Sequence, residues 1–299
     1  MHLITAYITF LLRSTNQHGV HSPFVYNLVT RCFYDKKKYP AYEILKQYRK
    51  SLLKDKRTIL IKDFGAGSRV FKSDKREVSK MAKSAGISPK RARLLNRLVN
   101  YLEVDRALEL GTSLGLGTAA MAAGNKVKIT TIEGCPETAA VAGEKFRGFG
   151  LNNIQLKVAR FELFLKESAN SKAQIPNSSF TQTENGQPTT ENPQPTLLRS
   201  SSHGQATNNS ELLTHNFDLL YIDGNHQKEA TLTYFEKLLP TIHNNSVMIF
   251  DDIHWSKGME EAWEEIKAHP EVRVTIDTFQ WGLVFFRREQ EKEHFVIRV

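Results

Sequence analysis

The sequence predicts an α/β fold: a parallel sheet with helices on both faces and a C-terminal antiparallel hairpin, preceded by a helical N-terminal region. Three observations support this prediction. Short apolar runs alternate with helical patterns from residue 106 onward. A glycine-rich turn follows the first of these runs, and the residues before it show only helical spacing of apolar side chains. This rhythm is typical of Rossmann-like sheets with right-handed crossovers.

The composition is that of a protein with a substantial core. The chain has 299 residues, 40% of them hydrophobic and 24% charged, enough for one large domain or two small ones. Its two cysteines, Cys32 and Cys135, exclude a disulfide scaffold and a zinc cluster built on cysteines. The apolar stretch Leu3 to Leu12 is too short to span a bilayer and lacks the flanks of a secretory signal. We therefore expect a cytoplasmic protein with no membrane span.

The formal net charge of +9 is unevenly distributed. Residues 1–105 hold 22 Lys and Arg against 8 Asp and Glu, whereas the remaining residues hold 19 against 24. The basic residues 1–105, which we call the basic front, precede an acidic remainder of the chain. This distribution is compatible with an anionic substrate, nucleic acid or a membrane face. It is equally compatible with a solvated helical surface.

The N-terminal region, residues 1–93, is expected to form a helical cap. Apolar residues recur at helical spacing near its start, and Ser22 followed by Pro23 is a typical helix start. A further helix is expected over Pro40–Leu53. The same start signal recurs at Ser88-Pro89, ahead of an apolar stripe.

One segment of this region resembles a strand followed by a glycine turn. Ile59–Gly67 contains Asp-Phe-Gly, but no nucleotide-binding glycines precede it and no helix, strand and acidic residue follow it in the order that a nucleotide-binding unit needs. Polar and basic residues 68–83 come next. We interpret the segment as a flexible flap over the substrate side, with a plain loop as the alternative.

The second region, residues 94–299, contains the alternating elements. Expected strands are Arg106–Leu110, Val127–Ile132, Ile154–Val158, Phe217–Ile222 and Ser246–Phe250. Expected helices are Gly115–Gly124, Pro136–Phe149, Arg160–Glu167, Gln227–Leu239 and Lys257–His269. The terminal hairpin is expected over Val272–Phe279 and Gly282–Arg288, with a last short strand at His294–Val299. Residues 168–215, rich in polar residues and proline, predict a disordered surface insertion.

The strongest motif follows the first expected strand, which ends at Glu109-Leu110. Gly111, Gly115 and Gly117 stand at G-x-x-x-G-x-G spacing in the turn. Glycine there lets a ligand approach the backbone, and the next helix offers unpaired N–H groups. The second strand ends at Glu133, 22 residues after Gly111, where an acidic residue contacts a ribose diol in nucleotide-binding α/β folds.

Two enzyme classes use such a turn. A short-chain dehydrogenase needs a Tyr-x-x-x-Lys pair downstream, and none follows Gly117. Glu109 to Gly115 instead resembles the first motif of the catechol O-methyltransferase-like group of class I S-adenosylmethionine-dependent methyltransferases, and Ile132-Glu133 resembles its second motif. The resemblance covers roughly Leu94–Arg288 without the insertion.

This resemblance implies S-adenosylmethionine as the cofactor. The residues that it implies as cofactor-binding are Glu109, Gly111, Ser113, Gly115, Glu133 and Asp223. It places the loop residues against the amino-acid part of the cofactor and the second-strand glutamate on its ribose. A further stretch, His18–Phe24, resembles one found in uncharacterised bacterial methyltransferases and names no substrate.

Acidic residues stand at the ends of the fourth and fifth expected strands. Asp223, Asp251 and Asp252 should converge near the glycine turn, because ligands bind beyond the carboxyl ends of parallel strands. They are candidate Mg²⁺ ligands, with capping and turn formation as the alternative. The resembling group binds Mg²⁺ through an Asp and an Asp-Asn pair, so Asp251-Asp252 departs from its pattern.

A histidine stands where the resembling group has a catalytic lysine. His226 follows Asp223 by three residues, and an imidazole can accept a hydroxyl proton near neutral pH. Asp223 and His226 are therefore the candidate catalytic residues. The alternatives are a His226 that only hydrogen-bonds a nearby carboxylate, and His254 as the base.

The leading hypothesis is an O-methyltransferase acting on a small-molecule hydroxyl, with an acidic or phosphorylated acceptor favoured by the basic front. A second hypothesis is an RNA methyltransferase that uses this front to contact phosphates. Against base methylation, the fourth strand ends in Ile-Asp-Gly-Asn-His without an Asn/Asp-Pro-Pro-aromatic motif. A third is a cofactor-binding protein without turnover.

Overall fold

The computed structural model describes residues 2–62, 73–84, 86–172 and 216–299, with side chains only to residue 166 in the helix that ends at Lys172. The N-terminal helices are α1 (His2–Arg13), α2 (Pro23–Leu28), α3 (Ala41–Lys54), α4 (Val78–Ser84) and α5 (Pro89–Tyr101). Two short strands between α3 and α4, β1 (Thr58–Leu60) and β2 (Lys75–Glu77), pair antiparallel.

The alternating elements follow. The strands are β3 (Arg106–Leu110), β4 (Lys128–Glu133), β5 (Ile154–Val158), β6 (Leu219–Ile222), β7 (Val247–Asp251), β8 (Val274–Asp277), β9 (Trp281–Phe285) and β10 (Glu293–Val296). The helices are α6 (Leu116–Ala122), α7 (Pro136–Gly148), α8 (Phe161–Lys172), α9 (Lys228–Leu238) and α10 (Lys257–Ala268).

Eight strands form one sheet in the order β10-β8-β9-β7-β6-β3-β4-β5. The five strands from β3 to β7 are mutually parallel, whereas β9 runs antiparallel to both β7 and β8. The last strand, β10, pairs parallel with β8. The predicted α/β fold with a C-terminal antiparallel hairpin is therefore confirmed. Because the antiparallel strand β9 lies beside β7, the strand order of this sheet also differs from the order 3-2-1-4-5-6 of dinucleotide-binding sheets.

Both faces of the sheet are buried, which explains why its strands are continuous apolar runs. Alternate residues of β3 enter different cores: Ala107 joins the core formed with the N-terminal helices, and Leu108 joins the core formed with α8, α9 and α10. Every residue of β6 and β7 is buried. The strand ends are thereby held in fixed positions at one edge of the sheet.

The N-terminal helices begin where the sequence predicts. The side-chain oxygens of Ser22 and Ser88 accept the backbone N–H groups of Val25 and Arg91, and a proline opens each helix. The expected boundary between residues 93 and 94 falls inside α5, and the N-terminal helices share one core with the sheet. They cover one face of the sheet and reach its carboxyl edge.

Two sequence-based boundaries differ from the structure. Helix α8 continues to Lys172, so residues 168–172 are helical rather than part of the expected insertion; residues 173–215 lie outside the described residues. Within the expected flap, residues 75–84 form β2 and α4, and Val78, Met81 and Ala82 are buried. Packing of these apolar residues orders a segment that its charge made to look like a loop. Residues 63–72 lie outside the described residues.

No helix in the described ranges is both long enough and apolar enough to cross a membrane.

Candidate functional site

The carboxyl ends of β3 and β6 contact each other through their loops. Gly111 has φ of +108°, and a Cβ atom there would lie 1.9 Å from the carbonyl oxygen of Asp223. Ser113 and Gly115 also have positive φ, +48° and +76°. Glycine is required at Gly111 because a side chain would displace the loop after β6. The glycine loop and Asp223 therefore form one wall of the site.

Glu133 points toward this loop. Its carboxylate accepts the backbone N–H of Ser113 at 2.8 Å and the backbone N–H of Cys135 at 2.9 Å. The end of β4 is thereby tied to the turn after β3. A carboxylate oxygen can accept more than one hydrogen bond.

Glu109 is a buried carboxyl group beneath the same loop. The hydroxyls of Thr118 and Thr131 donate to its Oε2 atom, whereas Oε1 has no hydrogen-bond partner. Oε1 faces Gly117, where a Cβ atom would approach it to 2.7 Å. Burial raises the pKa of Glu109 to about 7. A buried carboxyl oxygen without a partner can accept a hydrogen bond from a cationic ligand group.

A small cleft lies beside the glycine loop. Met81, Ala82 and Ile87 of the N-terminal region line it together with Asp223. Tyr48 of α3 reaches the loop from below, where its hydroxyl donates to the carbonyl oxygen of Leu114 at 2.9 Å. The N-terminal region thus shapes the cleft. No motif in the sequence indicates these contacts.

Asp223 and Asp251 lie on the same rim of the site. Their side chains are within hydrogen-bonding reach of each other, and the hydroxyl of Tyr221 donates to Asp223 at 3.2 Å. Burial and the neighbouring carboxylates raise the pKa of both aspartates. Arg91 of α5 donates to Asp251 Oδ1 at 2.7 Å. This arginine is a site residue that the sequence analysis missed.

The three aspartates do not fit a metal ion. Within the described ranges, no group of three or more His, Cys, Asp and Glu side chains is arranged to hold one. Asp251 has already bound the guanidinium of Arg91. Asp252 ends β7 in a turn with φ of +53°, with its N–H bound to the carbonyl of Gln280. The expected Mg²⁺ site at Asp223, Asp251 and Asp252 stays a prediction, and in this structure Arg91 binds one of its proposed ligands, Asp251.

His226 stands beside Asp223. Its Nε2 atom lies 3.6 Å from Asp223 Oδ1, its ring centroid is 6.3 Å from that of Trp255, and 22% of its side chain is exposed. His226 and Asn225 have φ of +26° and +64°, a strained turn that the side chain of Asn225 holds by donating to the Tyr234 hydroxyl. The imidazole therefore stands on a turn that is held in place, and part of it is accessible to solvent.

His254 does not serve as a free base. Its Nδ1 atom lies 2.9 Å from Glu260 and its Nε2 atom 2.9 Å from Asp277, so both ring nitrogens are bound to carboxylates. Burial opposes the charged form, yet these carboxylates raise the pKa of His254. This histidine joins α10 to β8, and the alternative that made it the base is wrong.

Comparisons with known proteins agree with this architecture. Residues 108–253 match a family described as a methyltransferase domain. A Podospora anserina methyltransferase with bound SAH has a similar structure, with a TM-score of 0.51 at 13% identity over 90% of this chain and 97% of that one. A cofactor-bound protein from MTB gives a TM-score of 0.50 at 15% identity over 88% of this chain and 94% of that one.

No curated protein matches the sequence. The structural similarities are at low identity and therefore concern the fold. Residues 108–253, which run from β3 to just beyond β7, therefore match a methyltransferase domain, and the two solved structures share the fold of this chain.

Proposed function

We propose that the protein transfers the methyl group of S-adenosylmethionine to a hydroxyl oxygen of a small molecule, with His226 as general base. One observation supports this most directly. Asp223 contacts the glycine loop through its backbone, and its side chain lies 3.6 Å from the imidazole of His226. A proton acceptor is thus held next to the loop on which the cofactor is expected, as an in-line transfer requires.

The residues beneath the loop fit the cofactor. The unpaired oxygen of Glu109 suits the ammonium group of the cofactor's amino-acid part. The backbone of Gly111, Ser113 and Gly115 would lie against that same part, since glycine leaves the backbone accessible. Glu133, already fixed by two backbone N–H groups, would accept hydrogen bonds from the ribose hydroxyls.

The chemistry demanded of the protein is modest. The bound cofactor supplies a methyl group on a positively charged sulfur. The acceptor oxygen forms a bond to the methyl carbon as the carbon–sulfur bond breaks, and the electron pair of that bond stays on sulfur. His226 takes the hydroxyl proton at its ring nitrogen, and the Asp223 carboxyl group lies 3.6 Å from the imidazole. No step involves a metal.

Cofactor binding is tested first. Calorimetric titration of the protein with S-adenosylmethionine and, separately, with NAD should give heat only with the former. Binding of NAD alone would refute the proposal. Glu133→Gln should weaken binding of S-adenosylmethionine, because an amide replaces one of the two acceptor oxygens.

Turnover is tested with labelled S-adenosylmethionine and cell extract divided into small-molecule, anionic small-molecule and RNA fractions. We expect label in a small-molecule fraction, on an ether or ester oxygen. Label confined to RNA would identify the RNA methyltransferase alternative. Binding of RNA by the protein would then fall steeply as the salt concentration rises. Absence of label from every fraction, with the cofactor bound, would favour a binding protein without turnover.

The base is tested by His226→Ala, with His21→Ala as the matched control because His21 is exposed and precedes α2. We expect turnover to fall by about 100-fold or more in the first variant, as for loss of a general base, with unchanged cofactor affinity. His21→Ala should keep both. Equal turnover in wild type and His226→Ala would remove His226 from the mechanism.

A further inference from the structure

Three acidic side chains gather at the carboxyl ends of β6 and β7, and one cation stands among them. Asp223, Asp251 and Asp252 act on one another electrostatically. The guanidinium of Arg91 donates to Asp251 at 2.7 Å and acts electrostatically on the other two. A set of carboxylates this close needs a compensating positive charge, since like charges at short range are costly at a buried site.

The position of Arg91 is fixed from several sides. The residue lies in the first turn of α5, where its backbone N–H is bound by the side chain of Ser88. Its guanidinium carbon lies 5.7 Å from the ring centroid of Trp281, the residue paired with Asp251 across β7 and β9. Only 19% of the Arg91 side chain and 7% of the Asp251 side chain are exposed. A planar guanidinium that lies over an aromatic ring and is bound to a carboxylate is held in one orientation.

This arrangement competes with a divalent ion for the same oxygens. Mg²⁺ requires about six oxygen ligands close to octahedral geometry. Here one carboxylate oxygen of Asp251 has bound Arg91, and the positive charge of the guanidinium would repel a second cation placed between the aspartates.

We propose that Arg91 is the resident cation of this site, that it keeps divalent metals out, and that methyl transfer by this protein is therefore independent of metal. The metal independence of methyl transfer rests on the proposed function, whereas the exclusion of metal ions is a property of the protein itself. Arg91 acts as a positioning residue. By neutralising Asp251 it leaves Asp223 available to His226 instead of to a metal ion.

Metal exclusion is measured with Mn²⁺, which uses the same oxygen ligands as Mg²⁺ and whose free form is read by electron paramagnetic resonance. The full chain is titrated as wild type, Arg91→Ala and Arg91→Lys, each with and without Asp251→Asn. Arg93→Ala is the matched control, because it removes the same charge from the same helix at a side chain that lies over Tyr42. The quantity of interest is Mn²⁺ binding that Asp251→Asn abolishes.

We expect no such binding in wild type, Arg91→Lys or Arg93→Ala, and its appearance in Arg91→Ala. Asp251-dependent binding in the wild type would overturn the inference, and this comparison does not need Arg91→Ala to fold. Absence of Mn²⁺ binding in a folded Arg91→Ala protein would also overturn it, because the guanidinium would then not be what keeps the ion out.

A parallel titration with S-adenosylmethionine separates the two proposals. Failure to bind this cofactor refutes the proposed function and leaves the Mn²⁺ result standing. For the labelled acceptor fraction, EDTA should leave the rate of methyl transfer unchanged. A loss of rate that Mg²⁺ restores would overturn metal independence while supporting the methyltransferase activity.

Discussion

The substitution Glu109→Gln tests the buried carboxyl group beneath the glycine loop. Glu109 is 1% exposed, and burial raises its pKa from 4.5 to about 7. Below pH 4.5 the group is protonated in both the folded and the unfolded chain. As the pH rises from there to 7, the unfolded chain loses the proton while the folded chain retains it, so the free energy of unfolding falls.

The size of this effect follows from the two pKa values. A difference of about 2.5 pH units corresponds to about 3 kcal/mol, lost by the wild type as the pH rises through this window. Glutamine does not titrate, so the variant lacks this loss. The amide group placed at Oε1 has no partner and costs about 1–3 kcal/mol at every pH. The pH dependence of the free energy of unfolding, rather than its value at any one pH, therefore reports the ionisation of Glu109.

The assay is urea unfolding followed by tryptophan fluorescence at several pH values between 4 and 8. Across this range the free energy of unfolding of the wild type should fall by about 3 kcal/mol relative to that of Glu109→Gln. Glu271→Gln, which changes an exposed carboxyl, is the control and should follow the wild type. Parallel curves for Glu109→Gln and wild type would refute the reasoning. At pH 8, above the pKa of Glu109, the same variant should bind S-adenosylmethionine about tenfold more weakly or worse, because a charged partner of the ammonium is lost.

Three further substitutions probe the structure around the site. Gly111→Ala should lower the free energy of unfolding by at least about 2 kcal/mol, because φ is +108° and the new Cβ would lie 1.9 Å from a carbonyl oxygen. Gly150→Ala, with φ of +66° but open space, should cost less in the same urea assay, and equal costs would contradict the close approach. His254→Gln should destabilise the protein more at pH 6 than at pH 9, since a raised histidine pKa contributes stability that disappears as the pH rises through it; a pH-independent cost would contradict the double ion pair. Tyr48→Phe should cost about 1–3 kcal/mol and weaken cofactor affinity, because a buried loop carbonyl loses its donor; unchanged values in both measurements would contradict this role.

Much of the fold could be predicted because its signals are local. Strands β3 and β5 have the predicted limits, and the start signals at Ser22 and Ser88 begin α2 and α5. The apolar periodicity of each segment also identifies which faces are buried. The cytoplasmic location and the division into two regions stay predictions.

The site was predictable only in part. Glu133, Gly111 and Asp223 follow strands that parallel pairing brings to one edge, so their proximity follows from the topology. Arg91 could not be found in this way, since it contacts a residue 160 positions later. The three aspartates are visible in the sequence, but the cation that binds Asp251 comes from a helix of the N-terminal region.

The sequence by itself determined the class of fold, the glycine turn and the order in which acidic residues and an imidazole follow the strands. Each of these depends on residues that are neighbours along the chain. Only the tertiary structure decided which charges meet. In the structure Arg91 binds Asp251, and both ring nitrogens of His254 bind carboxylates. The imidazole of His226 remains partly exposed. Ion pairs form between whichever groups packing brings within a few ångströms, and no local pattern in the sequence records that choice.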